Sequence, residues 1–392
     1  MLDMPTLAKL IEPITPEVFL RDYYEKRPLL VHRKRPDYYD SLLTLEKVDR
    51  AITSLHLSNP DVFIANHERQ VPKEEYTFAN NVIDVVKLYQ QFADGGSIVI
   101  NQLDRFITPM AEFMRGLELE LSSRFQGNIY LTPRTSQGFN THYDSHDVFV
   151  MQIHGTKQWF LYDTPIELPF RNQAFEKDKT PAGAKSQEFV MQPGDMVYVP
   201  RGVMHDARTT DTDSLHITVG CLHTSWTEVV LESVARLALS DADFRRSLPA
   251  GYARSGFDRT EAKKFFQSLI QRVAEKADFD AGLDHFADDL LSTRDAMLEG
   301  QLEQMRRLND VSPESRCGAR PNLMYHIRES EEHVFISCYG TDLRLPVHAG
   351  TPARFALQSP EFTVKSLPGD LDDPGKVVLV KRLIREGFVR LL

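Results

Sequence analysis

The sequence predicts an α+β protein in three parts: a strand-rich barrel or sandwich within residues 1–223, a helical domain over 224–310, and a small mixed domain over 311–392. Three observations predict it. From about Ser97 the chain becomes a series of short runs rich in β-branched and aromatic residues, broken by Gly, Pro, Asn or Asp, as many-stranded sandwiches and barrels require. Past Thr224 the apolar spacing turns helical, and after Val311 short strand-like runs lead into a terminal helical pattern.

The elements follow in chain order. Thr15-Pro16 before EVFLRDYYEK reads as a capped helix start with proline in the first turn. PLLVHR (28–33) reads as a strand and 42–55 as a helix, while 60–73 is too polar to assign. A helix reads over 107–120, between the first strand-like run and the rest. The barrel strands are SIVINQL (97–103), NIYLT (128–132), DVFVMQIHG (147–155), KQWFLYD (157–163), EFVMQ (188–192), DMVYVP (195–200) and LHITVGCL (215–222). EVVLESVARLAL, EAKKFFQSLIQRVAEKA and a run over 283–307 form the helical domain. HVFISCY, DLRLPV and FTVKSL read as strands, and KVVLVKRLIREGFVRLL as the terminal helix. There is no internal repeat and no low-complexity tract.

Composition narrows the function classes. The 392 residues are 42% hydrophobic and 26% charged, as in an ordinary globular protein. The N-terminus lacks the basic-then-apolar pattern of a signal peptide, and no apolar run approaches the ~20 residues that span a bilayer. Cys221, Cys317 and Cys338 are odd in number and widely spaced, which predicts reduced thiols and a cytoplasmic protein. A net charge of −10 argues against broad nucleic-acid binding and leaves a basic protein open as partner.

The chemistry concentrates in Thr141-His142-Tyr143-Asp144 and in His205. A two-histidine, one-carboxylate centre holds iron on one face and leaves the other open. His142 and Asp144 lie two residues apart, so on an extended segment both side chains leave from one side. His205 ends the pattern P-G-D-x-x-Y-x-P-x-G-x-x-H (193–205), in which one turn starts a strand and another ends it, delivering the histidine at a barrel mouth. Taken singly, His142 reads as a loop histidine bonded to Asp144. The conjunction of HxD, strand-rich frame and turn-flanked histidine makes the metal site the better reading. His146 and Asp147 are adjacent and point to opposite faces, so they chelate poorly. Lys157 opens the strand after HxD, in alternation with Trp159 and Leu161. Its charge matches the far carboxylate of a dicarboxylate co-substrate.

Residues 127–163 closely resemble the JmjC-domain ribosomal oxygenases, cupin-type protein hydroxylases. EKRPLLVHR, DFRRSLPAGY (243–252) and the last eighty residues resemble the family's N-terminal segment, helical dimerisation region and winged-helix domain. The resemblance implies a double-stranded β-helix (cupin/JmjC) barrel with those two further domains. It implies His142, Asp144 and His205 as Fe(II) ligands, with 2-oxoglutarate and O2 as co-substrates. Lys157 matches the residue that pairs with the 2-oxoglutarate C5 carboxylate, and Asn128 and Tyr130 fall in the same pocket. Where family members carry a serine on the final strand this chain has Gly220, and Thr218 is taken as the substitute contact. The implied substrate is a protein side chain, such as one on a ribosomal protein, and the implied assembly is a homodimer.

Two other readings compete. A ligand-sensing barrel with a DNA-reading C-terminal domain conflicts with that domain's charge: 11 Lys and Arg against 10 Asp and Glu give only +1 over 311–392, with KRLIREGFVR its one basic stretch. A cupin without oxygen chemistry would leave Lys157 unexplained.

Overall fold

The structure is a computed structural model that describes residues 6–177 and 179–392. The chain divides into two compact units that meet between His223 and Thr224.

In the first unit, α1 (Thr6–Ile11) and α2 (Pro16–Asp22) lead to β1 (Leu29–Val31). The Thr15 hydroxyl caps α2 by accepting from Val18 N at 3.4 Å. Next come α3 (Leu45–Ser54), β2 (Val62–Ala65), α4 (Val85–Ala93), β3 (Ser97–Ile100) and α5 (Thr108–Leu121). β2 lies in the stretch whose polarity hides it from periodicity: four residues, all but one buried, flanked by charged loops. The barrel strands are β4 (Arg124–Thr132), β5 (Asp147–Gly155), β6 (Lys157–Tyr162), β7 (Lys185–Met191), β8 (Met196–Val199), β9 (His205–Arg208) and β10 (Ser214–Leu222).

These strands form two antiparallel sheets, ordered β1-β8-β5-β10-β4-β3-β2 and β7-β6-β9. Side-chain alternation makes two cores from the larger sheet. Phe149, Met151, Tyr198, Leu215, Ile217, Val219, Ile129 and Leu131 pack outward in one cluster with residues of α1 to α5. Val148, Val150, Val197 and Val199 face inward and meet Trp159, Leu161 and Met191 of the smaller sheet. A large sheet backed by helices and facing a small sheet is the double-stranded β-helix.

In the second unit, α6 (Trp226–Ser240) starts in a capping box between Ser225 and Glu228, and α7 (Thr260–Lys276) and α8 (Phe279–Ser292) follow. The helix expected over 283–307 is broken. α8 ends at Ser292, and α9 (Gln301–Arg306) starts anew after Gly300, whose φ of 79° no helix interior accommodates. Then come β11 (Arg316–Ala319), β12 (His326–Glu329), β13 (His333–Cys338), β14 (Thr341–Pro346), α10 (Gly350–Gln358), β15 (Phe362–Thr363), α11 (Asp373–Arg385) and β16 (Val389–Leu391). The terminal helix is shorter than its pattern suggests. Gly387, at φ 78°, turns the chain so that 389–391 pair with β11. Two three-stranded sheets, β15-β11-β16 and β12-β13-β14, share a core with α10 and α11.

Candidate metal and co-substrate site

His142, Asp144 and His205 converge: one potential ligand atom from each lies within 4.8 Å of the others. His205 Nε2 is 3.7 Å from Asp144 Oδ2, and His142 Nε2 is 4.0 Å from Asp144 Oδ1. Both rings are oriented by carbonyls. His142 Nδ1 lies 2.8 Å from Asn140 O and His205 Nδ1 lies 3.0 Å from Val203 O. A carbonyl only accepts, so each Nδ1 carries a hydrogen and Nε2 is the ring nitrogen left to face a metal. Burial and the neighbouring His142 push the His205 imidazolium below its usual range. Burial opposes ionisation of Asp144, but His205, His142 and His146 hold its carboxyl below the ordinary value. The set offers two ring nitrogens and one carboxylate, the donor types that metal ligation needs.

Local backbone explains the convergence. His142 and His205 exchange two main-chain hydrogen bonds, His142 N to His205 O at 3.0 Å and His205 N to His142 O at 2.8 Å, extending the small sheet beyond β9. The glycines of the 193–205 pattern are required. Gly194 (φ 91°) and Gly202 (φ 88°) adopt left-handed conformations, and a Cβ would stand 2.1 Å from Arg35 O and from Ile166 O respectively. Gly202 N donates to Asp144 O at 3.0 Å, joining the two ligand segments.

The triad opens into a cavity of about 320 Å³. Lys157, Tyr130 and Thr218 line it. Lys157 is buried and donates to Thr132 Oγ1 at 3.0 Å. It has no carboxylate partner among the described residues, and burial pushes its ammonium down to about 7. Asn128 shares the inward face of β4 but is not part of the cavity wall. Its Oδ1 accepts from Gln102 N at 3.1 Å. The room left by Gly220 is filled: a Cβ there would lie 2.9 Å from His146 Nε2, so the His146 ring lies against the strand where a larger residue would project.

His216 is the wall residue that sequence reasoning missed. Its register partner on β4 is Tyr130, and the two rings stack at 4.9 Å and 6°. Trp159 packs edge-on to it at 5.8 Å and lies over His205 at 6.0 Å. Burial and the Lys157 charge keep the His216 ring neutral. His216 Nδ1 and Trp159 Nε1 are buried without hydrogen-bond partners. The available signal was alternation: His216 shares a face with Thr218. Two neutral groups without partners and an ammonium without a counter-ion suit an anion, since a buried charge needs a partner. The triad likewise suits a divalent metal with an open face. The residues therefore fit both an iron and a dicarboxylate.

These features define a class: a double-stranded β-helix with a two-histidine, one-carboxylate metal-type site. Residues 102–229 match the JmjC domain family. The chain is 30% identical over 306 residues to ribosomal oxygenase 1 of Gallus gallus, covering 72% of this chain and 50% of that protein. It is 29% identical over 297 residues to the bifunctional lysine-specific demethylase and histidyl-hydroxylase NO66 of Aedes aegypti, covering 72% and 46%. The chain thus spans about half the length of the curated relatives it matches. The fold is that of YcfD, a ribosomal oxygenase of Escherichia coli solved with cobalt and 2-oxoglutarate, at a TM-score of 0.54 and 13% identity over 97% of this chain and 98% of that one. Residues 102–229 thus carry a JmjC domain, and the chain is similar to ribosomal oxygenases.

Proposed function

We propose that this protein is an Fe(II)- and 2-oxoglutarate-dependent oxygenase that hydroxylates a side chain of a protein substrate, with a ribosomal protein the leading candidate. The observation that carries the reading is a two-histidine, one-carboxylate triad opening into the same cavity as an unpaired buried lysine. His142, Asp144 and His205 hold the metal through two Nε2 atoms and one carboxylate. Iron with 2-oxoglutarate and O2 supplies the oxidative chemistry. Lys157 pairs with the C5 carboxylate, Thr218 and Tyr130 flank it, and His216 offers a neutral nitrogen beside it. Phe139 and Phe175 lie 5.9 and 6.4 Å from the His142 ring. The relatives' names support the substrate class, and the net charge of −10 suits a basic partner.

The assembly belongs to the same proposal. On α6 and α7, Trp226, Leu231, Leu239, Phe266 and Ile270 are more than half exposed, and Phe279 and Leu283 of α8 are nearly so. Apolar exposure on that scale marks an interface, and the reading takes 224–310 as a dimerisation domain and 311–392 as winged-helix-like. All three cysteines are buried, in keeping with a cytoplasmic protein. Incubation with Fe(II), 2-oxoglutarate, O2 and purified ribosomal proteins, read by mass spectrometry, tests the function. One added oxygen on a substrate side chain, lost in His205→Ala, is expected; succinate formation surviving in His205→Ala contradicts it.

A further inference from the structure

Between Tyr24 and His223 lies a polar cluster that the proposed chemistry leaves unused. Its hub is Asp147, fully buried three residues after Asp144. Arg201, four residues before His205, gives Asp147 Oδ1 both its backbone N–H at 3.0 Å and its guanidinium Nη1 at 3.1 Å. The Tyr198 hydroxyl donates to Oδ2, and His223 Nε2 lies 3.2 Å from that oxygen, off hydrogen-bond alignment. The second arm of Arg201 reaches Glu25 Oε1 at 2.6 Å. Glu25 N donates to the Tyr198 hydroxyl at 2.8 Å, and the Tyr24 hydroxyl lies 3.1 Å from His223 Nδ1.

Each tie joins a ligand-bearing segment to something else. Asp147 follows the HxD segment, and Arg201 sits in the turn that delivers His205. Next to it Gly202 N bonds Asp144 O. A carboxylate taking two donors from the second segment holds the first at a set distance. Arg201 is itself held by Glu25, from the segment after α2. A buried carboxylate with no such partners would be strongly unfavourable, so the cluster is satisfied as a unit or not at all.

We infer that Asp147 and Arg201 are positioning residues that set the separation of Asp144 and His205, and that Glu25 fixes Arg201, making the N-terminal segment part of the metal site's support. The inference rests on the metal-site reading above. Groups behind metal ligands orient them, and their loss lowers metal affinity about 10- to 100-fold. Lysine in place of arginine keeps the charge but cannot reach Asp147 and Glu25 together.

The test is anaerobic titration of the metal-free full chain with Co(II), reading affinity and the visible d–d spectrum, with circular dichroism for folding. Arg201→Ala is expected to bind Co(II) about 10- to 100-fold more weakly with altered bands, Arg201→Lys to fall between it and the parent, and Glu25→Gln to shift the same way by less. Folded Arg201→Ala binding within about twofold of the parent, with an unchanged spectrum, overturns the inference. Should Arg201→Ala not fold, Glu25→Gln decides by the same criterion. His142→Ala keeps the two readings apart: if it binds Co(II) like the parent, the metal-site reading fails, whatever Arg201 does.

Discussion

Lys157 has the sharpest consequences at the scale of the residue. Burial brings its ammonium down to about 7, and pairing with a carboxylate requires the charged form. Below pH 7 the group is protonated before 2-oxoglutarate arrives; above it, binding must take up a proton. Affinity for 2-oxoglutarate is therefore expected to be greatest below pH 7 and to fall about tenfold per pH unit above it, until the lysine's pKa in the complex is reached. Isothermal titration calorimetry in buffers of different ionisation enthalpy checks both the trend and the proton uptake. Linkage gives the sign for the ligand-free protein. The unfolded lysine titrates near 10.5 and the folded one near 7, so the unfolded state binds more protons between them and stability rises across that window. Lys157→Met should remove both dependences and weaken 2-oxoglutarate binding by about 2–3 kcal/mol, the worth of a charge-assisted contact. The chain has two tryptophans, Trp159 over His205 and Trp226 in solvent. In Trp226→Phe, Co(II) binding should quench the remaining emission, and an unchanged spectrum would place the metal elsewhere.

The elements explain what could be read in advance. The strands of residues 97–222 carry period-two alternation, which put Lys157, Trp159 and Leu161 together; Tyr130 and Thr218, which the family resemblance named, line the cavity. The pattern from Pro193 to His205 was legible because its glycines answer steric demands and not packing preferences. Gly202→Ala is expected to destabilise the protein by about 2 kcal/mol or more, since the left-handed turn and the Ile166 carbonyl both resist a Cβ. A melting temperature within experimental scatter of the parent's would contradict that account. His216 was not read because a histidine amid apolar strand residues looks like core, although its alternation with Thr218 gave the face and the register against Tyr130 bears it out. Asn128 was named through the family resemblance, which does not tell that its Oδ1 accepts from Gln102 N. The break after α8 and the final strand β16 each turn on one glycine with positive φ, a signal that helical periodicity overrides.

For the whole molecule, the exposed apolar residues of α6 to α8 and the net charge of −10 make separate predictions. Light scattering at micromolar concentration should give a dimer, and Leu231→Glu with Phe266→Glu should shift it to monomer; a monomeric parent would remove the dimer proposal. The most direct measurement concerns the site itself: anaerobic addition of Fe(II) and 2-oxoglutarate to the metal-free protein, watched for the visible metal-to-ligand charge-transfer band. The account predicts a saturable band that His142→Ala abolishes and Lys157→Met weakens. Iron that binds without giving a band when 2-oxoglutarate is added would contradict it.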